Sequence, residues 1–279
     1  MASFFVTGSS SGIGESAALH LDRLGHRVFA GVRRDEDGEA LERKATGQLA
    51  PVICDVTDEA SVTAAVEHIA GEVGDSGLDG LVNNAGVARA GPLEHLPMDE
   101  WREQFDINVF GQIAVTKAAM PLLRAATGRI CFVGSVSGRI GAPLMGPYCG
   151  SKFAIEGIAQ SLRAELRPWG IAVSVVEPGP VKTPVWAKSR VYADELEARL
   201  GPEAAAQYRE QIDGARKAIE TSERMGVSTD KTSAAIEHAL LADRPKHRYL
   251  VGPPAKVAGV ITRVLPDRVL DRLLLTVGP

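Results

Sequence analysis

The sequence predicts an α/β fold: a doubly wound parallel sheet of about seven strands, with helices on both faces. Three observations carry this. Short apolar runs of strand length alternate with segments of helical period along most of the chain. A glycine-rich turn, Gly8-Ser9-Ser10-Ser11-Gly12-Ile13-Gly14, joins the first apolar run to the first helix. Further motifs fall after later runs, at the strand ends where open α/β sheets place ligands.

The elements follow in order. Residues 3–7, Ser-Phe-Phe-Val-Thr, form the first strand. Ile13, Ala17, Ala18, Leu21 and Leu24 then recur at helical spacing, and Gly25 stops the helix. Strand, glycine-rich turn and helix together gather backbone N–H groups at a helix N-terminus, a setting for a pyrophosphate. Gly8 permits the tight turn, Gly12 lets backbone approach a ligand, and Gly14 lets helix pack on strand. The other reading is a glycine-rich loop that holds nothing. Residues 27–32 and 51–54 read as the second and third strands, 59–73 as helix and 78–82 as the fourth strand. Residues 97–126 read as one long helical stretch with Asn108 inside it. Strands over 129–133, 171–176 and 248–251, and a helix over 147–167, complete the alternation, with right-handed crossovers expected. Without repeats or linkers, residues 1–279 read as a single domain.

Residues 184–230 break the rhythm, with Leu196, Leu200, Ala204 and Tyr208 at helical spacing. They form either a surface helical hairpin or a partly mobile lid. The lid is preferred because Pro178-Gly179-Pro180 and Pro184 punctuate its entry. The tail, residues 253–279, carries two amphipathic runs: Val257, Val260, Ile261 and Val264, then Val269, Leu270, Leu273 and Leu274 beyond Pro266. It is expected to pack on the core or on a neighbouring subunit, with membrane-interface contact as the second reading.

Composition narrows the function. A net charge of −4 and a pI near 5.9 argue against a nucleic-acid surface. No 18-residue apolar run exists, so no membrane-spanning helix is expected, and the first residues read as strand and not as signal peptide. Cys54, Cys131 and Cys149 are scattered, which suits reduced thiols in a cytoplasmic protein. The histidines, among them His20, His26, His68 and His95, show no ligand spacing, and no metal site is expected.

The chemistry centres on Tyr148-Cys149-Gly150-Ser151-Lys152, with Ser135 thirteen residues before the tyrosine. Residues four apart share a helix face, so Lys152 stands beside Tyr148. A free phenol has a pKa near ~10. A neighbouring ammonium favours phenolate, so Tyr148 is expected to be shifted downward, toward the range useful for proton transfer. An isolated Tyr-x-x-x-Lys is more often a solvated helix face, and this one gains force from the accompanying motifs.

Those motifs run in order: Thr7 to Gly14, Asn83-Asn84-Ala85-Gly86, Asn108, Ser135, Tyr148 with Lys152, and Pro178-Gly179 followed by Thr183. In this order the chain resembles the short-chain dehydrogenase/reductase family over roughly residues 3–184. Gly134-Ser135 and the run from Tyr148 to Gly157 are most similar to its hydroxysteroid and retinol dehydrogenase branch. The resemblance implies a Rossmann-type sheet, with residues 184–230 covering the substrate. It implies an NAD(P)-dependent oxidoreductase that acts on the CH–OH group of a lipophilic alcohol or ketone. A non-catalytic cofactor sensor is the alternative, although every catalytic position is filled. Epimerases of the extended branch usually carry G-x-x-G-x-x-G and a longer C-terminal domain, which this chain lacks.

The resemblance also assigns roles. Tyr148 is the acid/base, Ser135 orients the substrate oxygen, and Lys152 holds the nicotinamide ribose. Asn108 links Lys152 to solvent through a water. Gly8, Ser10, Ser11, Gly12, Ile13 and Gly14 hold the cofactor at the first turn. Asp55 and Val56 lie at the adenine, although Asp55 or Asp58 can also cap the next helix. Asn83, Ala85 and Gly86 bring backbone against the cofactor, and Pro178, Gly179, Val181 and Thr183 complete its site. Met145, Val185 and Trp186 join Ser135 and Tyr148 as substrate contacts.

The second strand ends Val32-Arg33-Arg34, with Val32 where an acid would accept a ribose 2′-hydroxyl and Arg33 suited to a 2′-phosphate. Otherwise Arg33 and Arg34 pair only with Asp35, Glu36 or Asp37. NADP(H) is expected over NAD(H). In the resembled family, helices matching residues 97–126 and 147–167 pair across a twofold axis. Phe153, Ile158, Leu162 and Leu166 give the second an apolar face, and a homodimer or homotetramer is expected.

Overall fold

Strands buried on both faces must be covered by helices on both faces, and the chain supplies them by crossing over after nearly every strand. In a computed structural model, which describes residues 1–266, 268–270 and 272, seven strands form one sheet. They are β1 (Ser3–Val6), β2 (Arg27–Val32), β3 (Leu49–Ile53), β4 (Gly80–Asn83), β5 (Arg129–Val133), β6 (Ala172–Pro178) and β7 (Arg248–Val251). Their order is β3-β2-β1-β4-β5-β6-β7, and every pairing is parallel.

Alternation along each strand divides the core. Phe5, Phe29, Leu81, Ile130 and Phe132 face α3 (Glu59–Val73), α5 (Gln112–Ala126) and α6 (Gly146–Leu166). Phe4, Val28, Ala30, Val82 and Cys131 face α1 (Gly12–Arg23), α2 (Asp35–Glu42) and α9 (Thr229–Leu241). The strand order reverses between β1 and β4, so the loops leaving these neighbours diverge to opposite faces and open a crevice at their carboxyl ends.

Four sequence expectations change. The third strand begins at Leu49, two residues early. Helices α2 and α9 were not expected. In α2 only Gly38 and Leu41 are buried, too few to make a helical period visible. Residues 97–126 are not one α-helix: α4 (Met98–Phe105) passes into a turn of π-helix, Asp106–Gly111, before α5. At Gly111 a Cβ would fall 2.7 Å from Val56 Cγ2 and 2.8 Å from the Val56 carbonyl, so the helix seats directly on the β3 exit. The tail departs from one half of its expectation, packing on the core, and leaves a neighbouring subunit as the other. In α10 (Pro253–Val264) only Ala255 and Gly259 are buried, while Val257, Val260 and Val264 are 56, 63 and 71 % exposed, so the stripe does not pack on its own core. Leu273 and Leu274 lie outside the described residues.

Residues 184–230 form α7 (Val185–Gln207), kinked at Gly201 with φ 75°, and α8 (Arg209–Met225). No described helix is long and apolar enough to cross a membrane.

Thr127 ends α5 in the left-handed conformation, at φ 50° and ψ 45°, where glycine is preferred. That conformation costs an L-residue about 1–2 kcal/mol, and Thr127 is exposed with little packing to lose. Thr127→Gly is expected to stabilise the protein by roughly 1 kcal/mol, raising Tm by about 2–4 °C in a thermal melt.

Candidate active site

Thr7, the residue after β1, ties the two sides of the crevice together. Its N–H and hydroxyl both donate to Val82 O, at 3.0 and 3.3 Å. The same hydroxyl accepts from Asn84 N at 3.0 Å and Ala85 N at 3.1 Å. Asn84 Nδ2 donates to the carbonyls of Thr7 and Gly8, both at 3.0 Å. Ser9 N donates to Gly31 O at 2.8 Å, adding the end of β2. The glycine turn is thus fixed by strands on both sides.

Its glycines are needed for separate reasons. Gly8 and Gly12 have φ of +66° and +64°, which side chains rarely adopt. Gly14 is helical, but a Cβ there would lie 2.2 Å from Gly8 O and 2.4 Å from Asn84 Nδ2. The close packing is therefore of helix on loop, not of helix on strand as the sequence suggests. Ser11 is the N-cap of α1 in extended conformation, and its hydroxyl makes no capping bond. Ser10 is exposed and Ile13 half-buried beside it. A Cβ on Gly12 would come 3.4 Å from Thr183, which places the chain after β6 over the turn. Free N–H groups, an unspent hydroxyl and backbone stripped of side chains fit a dinucleotide pyrophosphate.

Ser135 leaves β5 and caps a single 3₁₀ turn, residues 136–138, by accepting from Ser137 N at 3.1 Å. Tyr148 and Lys152 lie one turn apart at the start of α6. Lys152 is 5 % exposed, its ammonium donates to Val133 O at 2.8 Å, and it lies 5.8 Å from the centre of the Tyr148 ring. Burial pulls the Lys152 ammonium down to about 8. Tyr148 is half-buried, and burial raises its phenol, while hydrogen bonding with Ser135 works against the rise. The expected lowering by Lys152 is thus reversed: the desolvation that weakens the ammonium also disfavours the phenolate.

Asn108 is fully buried in the π turn. Its Oδ1 accepts from Val87 N at 2.8 Å, and its Nδ2 donates to Val87 O at 3.0 Å and Ser151 Oγ at 3.2 Å. Gln104, one turn earlier, accepts from Arg89 N at 2.7 Å and donates to Val87 O at 2.9 Å. Ser151 in turn donates to Tyr148 O at 2.7 Å. Gln104 and Ser151 belong to the site and escape the sequence reading. Their only signal is that they lie one turn from Asn108 and Tyr148. Both ends of the Asn108 amide are engaged by protein.

The remaining candidates are spread around the crevice. Asn83 Nδ2 donates to Thr116 at 2.8 Å, and its buried Oδ1 has no partner. Ala85 O accepts from Gln112 at 3.1 Å, and a Cβ on Gly86 would lie 3.2 Å from Asn108 Oδ1. Asp58 takes the α3 cap, accepting from Ala60 N at 2.9 Å; Asp55 instead accepts from Thr57 N and Oγ1 at 3.0 and 2.7 Å. Val56 is buried. Arg34 pairs with Asp37 at 3.0 Å, whereas Arg33 is exposed and makes no ion pair among the described residues. Pro178 closes β6, Gly179 N donates to Val251 O at 3.0 Å, and Val181 bridges to Val227. Trp186 Nε1 donates to Val181 O at 2.7 Å, while Val185 is 41 % exposed. Met145 precedes α6, and Leu144, at φ 64°, accepts from Gly91 N at 2.7 Å. Tyr192 of α7 donates to Ala90 O at 3.0 Å and to Glu100, holding that helix against the crevice wall.

Lys152 makes folding pH-dependent. Its folded pKa, about 8, lies below the unfolded value of 10.5, so the unfolded chain binds more protons between these limits and stability rises with pH there. Lys152→Met should remove that rise. Denaturant melts at pH 7 and 9.5 should show wild type gaining on the variant; a constant difference would place Lys152 in water.

The chain matches the short chain dehydrogenase family over residues 3–193. It is 36 % identical over 273 residues to an NADPH-dependent 3-dehydrocapnine reductase of Ornithobacterium rhinotracheale, covering 96 % of this chain and 94 % of that protein. It is 39 % identical over 290 residues to retinol dehydrogenase 5 of Homo sapiens, covering 99 % and 88 %. A short-chain dehydrogenase from Streptomyces avermitilis superposes with a TM-score of 0.80 at 26 % identity, covering 98 % of this chain and 94 % of that one. An actinorhodin polyketide ketoreductase solved with NADPH gives 0.72 at 26 %, covering 89 % and 94 %. With the reversal of strand order, the glycine turn and the Ser–Tyr–Lys cluster in place, the chain belongs to the short-chain dehydrogenase/reductase family and is an NAD(P)-dependent oxidoreductase with retinol dehydrogenase-like relatives.

Proposed function

We propose that the protein interconverts a secondary alcohol and a ketone, or an alcohol and an aldehyde, on a lipophilic small molecule, with Tyr148 as acid/base. The observation that carries this reading is the convergence of Ser135, Tyr148 and Lys152 at the end of β5, beside the crevice. The nicotinamide cofactor, when bound, supplies or accepts the hydride. Negative charge then gathers on the substrate oxygen, where Ser135 donates a hydrogen bond and Tyr148 a proton. A phenol held neutral by burial is loaded for that donation, and the Lys152 ammonium lies close enough to stabilise the phenolate left behind. Lys152 also holds the ribose. Asn108 serves by clamping Val87 and, through Ser151, the first turn of α6.

Several features support the finer reading. Arg33, which follows buried Val32 and makes no ion pair among the described residues, favours NADP(H), as does the NADPH dependence of the capnine reductase relative. Residues 184–230, held against the crevice by Tyr192, act as a lid of a single domain spanning 1–279, with Met145, Val185 and Trp186 on the substrate side. Phe110 and Phe153 are 59 and 46 % exposed on the π turn and α6, while Leu166 is buried, so part of this helical surface remains for a twofold partner in a homodimer or homotetramer. Three buried, unpaired cysteines suit a cytoplasmic setting.

A panel of lipophilic ketones and aldehydes, followed by loss of reduced-nicotinamide absorbance, tests the activity. Tyr148→Phe should lower turnover by ~10²–10⁴-fold while leaving Tm and cofactor affinity nearly unchanged, and wild-type turnover in the variant would exclude Tyr148 as the acid.

Arg33→Ala should weaken NADP(H) by about 1.5–3 kcal/mol, the scale of a charge-assisted hydrogen bond, and hardly touch NAD(H). Titration by nucleotide fluorescence reads both; equal loss would make Arg33 structural.

A further inference from the structure

Beneath the site lies a cluster of charges that the chemistry above does not use. Arg139, the residue after the Ser135 turn, directs both faces of its guanidinium at Glu177: Nη2 donates to Oε1 at 2.8 Å and Nε to Oε2. Glu177 is wholly buried and immediately precedes Pro178-Gly179; the Arg139 side chain is 12 % exposed. On the other side, Arg248 of β7 donates from Nε to Glu156 Oε2 at 2.7 Å and lies 3.6 Å from Glu177 Oε1. Glu156 is one turn beyond Lys152 on α6. A Cβ on Gly138 would fall 2.9 Å from Lys152 O and 3.4 Å from Glu156 Cγ, so the Ser135 turn presses on α6 where Lys152 leaves it.

We propose that Arg139 and Glu177 are positioning residues: their paired contact fixes the Ser135 turn against the Pro178-Gly179 turn, and so fixes the orienting hydroxyl relative to the cofactor. This rests on the reading of Ser135 and Tyr148 given above. Stability alone is a poor account of the cluster. Buried ion pairs usually give no more stability than apolar residues of similar volume. Here Glu156 Oε1 and Arg163 Nη1 are also left buried without a partner. What two forked contacts do provide is direction: a bidentate guanidinium–carboxylate pair has one geometry, and it joins two loops that diverge from neighbouring strands.

The test separates holding from folding. Arg139→Met leaves buried Glu177 with only the 3.6 Å contact to Arg248, and Glu177→Gln leaves the Arg139 guanidinium against a neutral amide, so each should lower Tm. The double variant Arg139→Met/Glu177→Gln should recover most of the Tm, yet its kcat should stay down by about 10–100-fold, the scale of a small misplacement of reacting groups, with KM and NADPH affinity little changed. Arg139→Lys should regain only part of kcat, because an ammonium cannot fork. Amide hydrogen exchange over residues 134–139 and 178–181 should quicken in the double variant and not in Tyr148→Phe. A double variant that regains both Tm and kcat, or exchanges at the wild-type rate, overturns the inference. The exchange measurement does not depend on the catalytic assignment. Full turnover in Tyr148→Phe together with quickened exchange in the double variant would therefore reject the role of Tyr148 and leave the positioning contact standing.

Discussion

Helix α1 leaves the glycine turn so close to it that a methyl group on Gly14 would reach 2.2 Å from the Gly8 carbonyl. That approach aims the helix N-terminus at the crevice, and much of the site is arranged around it. It brings Gly8 against Asn84, whose side chain spans the gap to the β4 loop, and the Thr7 hydroxyl bonds that loop from below. The β4 loop runs on to Val87, which Asn108 and Gln104 grip from α4 and the π turn. From Asn108 the chain of contacts passes through Ser151 to the backbone of Tyr148. A connected path of hydrogen bonds and backbone thus leads from the glycine turn to Tyr148. A shift at either end would be felt at the other because the joints are buried or half-buried and have few alternatives.

Desolvation is the dominant electrostatic term at the site. It raises the phenol of Tyr148 and lowers the ammonium of Lys152 together. Burial thus favours the neutral form of both side chains. The Glu156–Glu177–Arg139–Arg248 cluster shows the other solution to burial: opposite charges meet in place, through a forked contact at Arg139 and single contacts at Arg248. The two arrangements lie on successive turns of α6. In the second, burial and Glu177 still push the Glu156 carboxyl upward against the pull of Arg248 and Arg139.

The alternation of strands and helices was legible because each central strand is buried on both faces and reads as an unbroken apolar run, bounded by residues that break it. The site was legible where chemistry demands a residue type at a spacing: Gly8, Gly12 and Gly14, and Tyr148 with Lys152. It was not legible where an outcome depends on contacts distant in sequence. The π turn rests on Gly111 meeting Val56, 55 positions away, and periodicity around Asn108 looks helical throughout. Gln104 and Ser151 acquire their importance only from Val87 and Tyr148. The direction of the Tyr148 shift was misjudged because spacing shows the neighbour and not the burial of both groups. The valines of α10 look like a core stripe in sequence, yet only Ala255 and Gly259 reach the core.

A π turn is an α-helix carrying one surplus residue. The residues from Met98 to Ala126 therefore belong to two helical registers joined at 106–111, each with its own inward face. One register turns Gln104 and Asn108 toward the Val87 backbone; the other turns Val115, Ala119 and Leu123 toward the sheet. Removing a single residue from the turn would restore an unbroken helix and rotate one face against the other by about 100°, so that either the polar pair or the apolar triplet would point away from its target. The surplus residue is what lets one continuous rod serve a polar crevice wall and an apolar core.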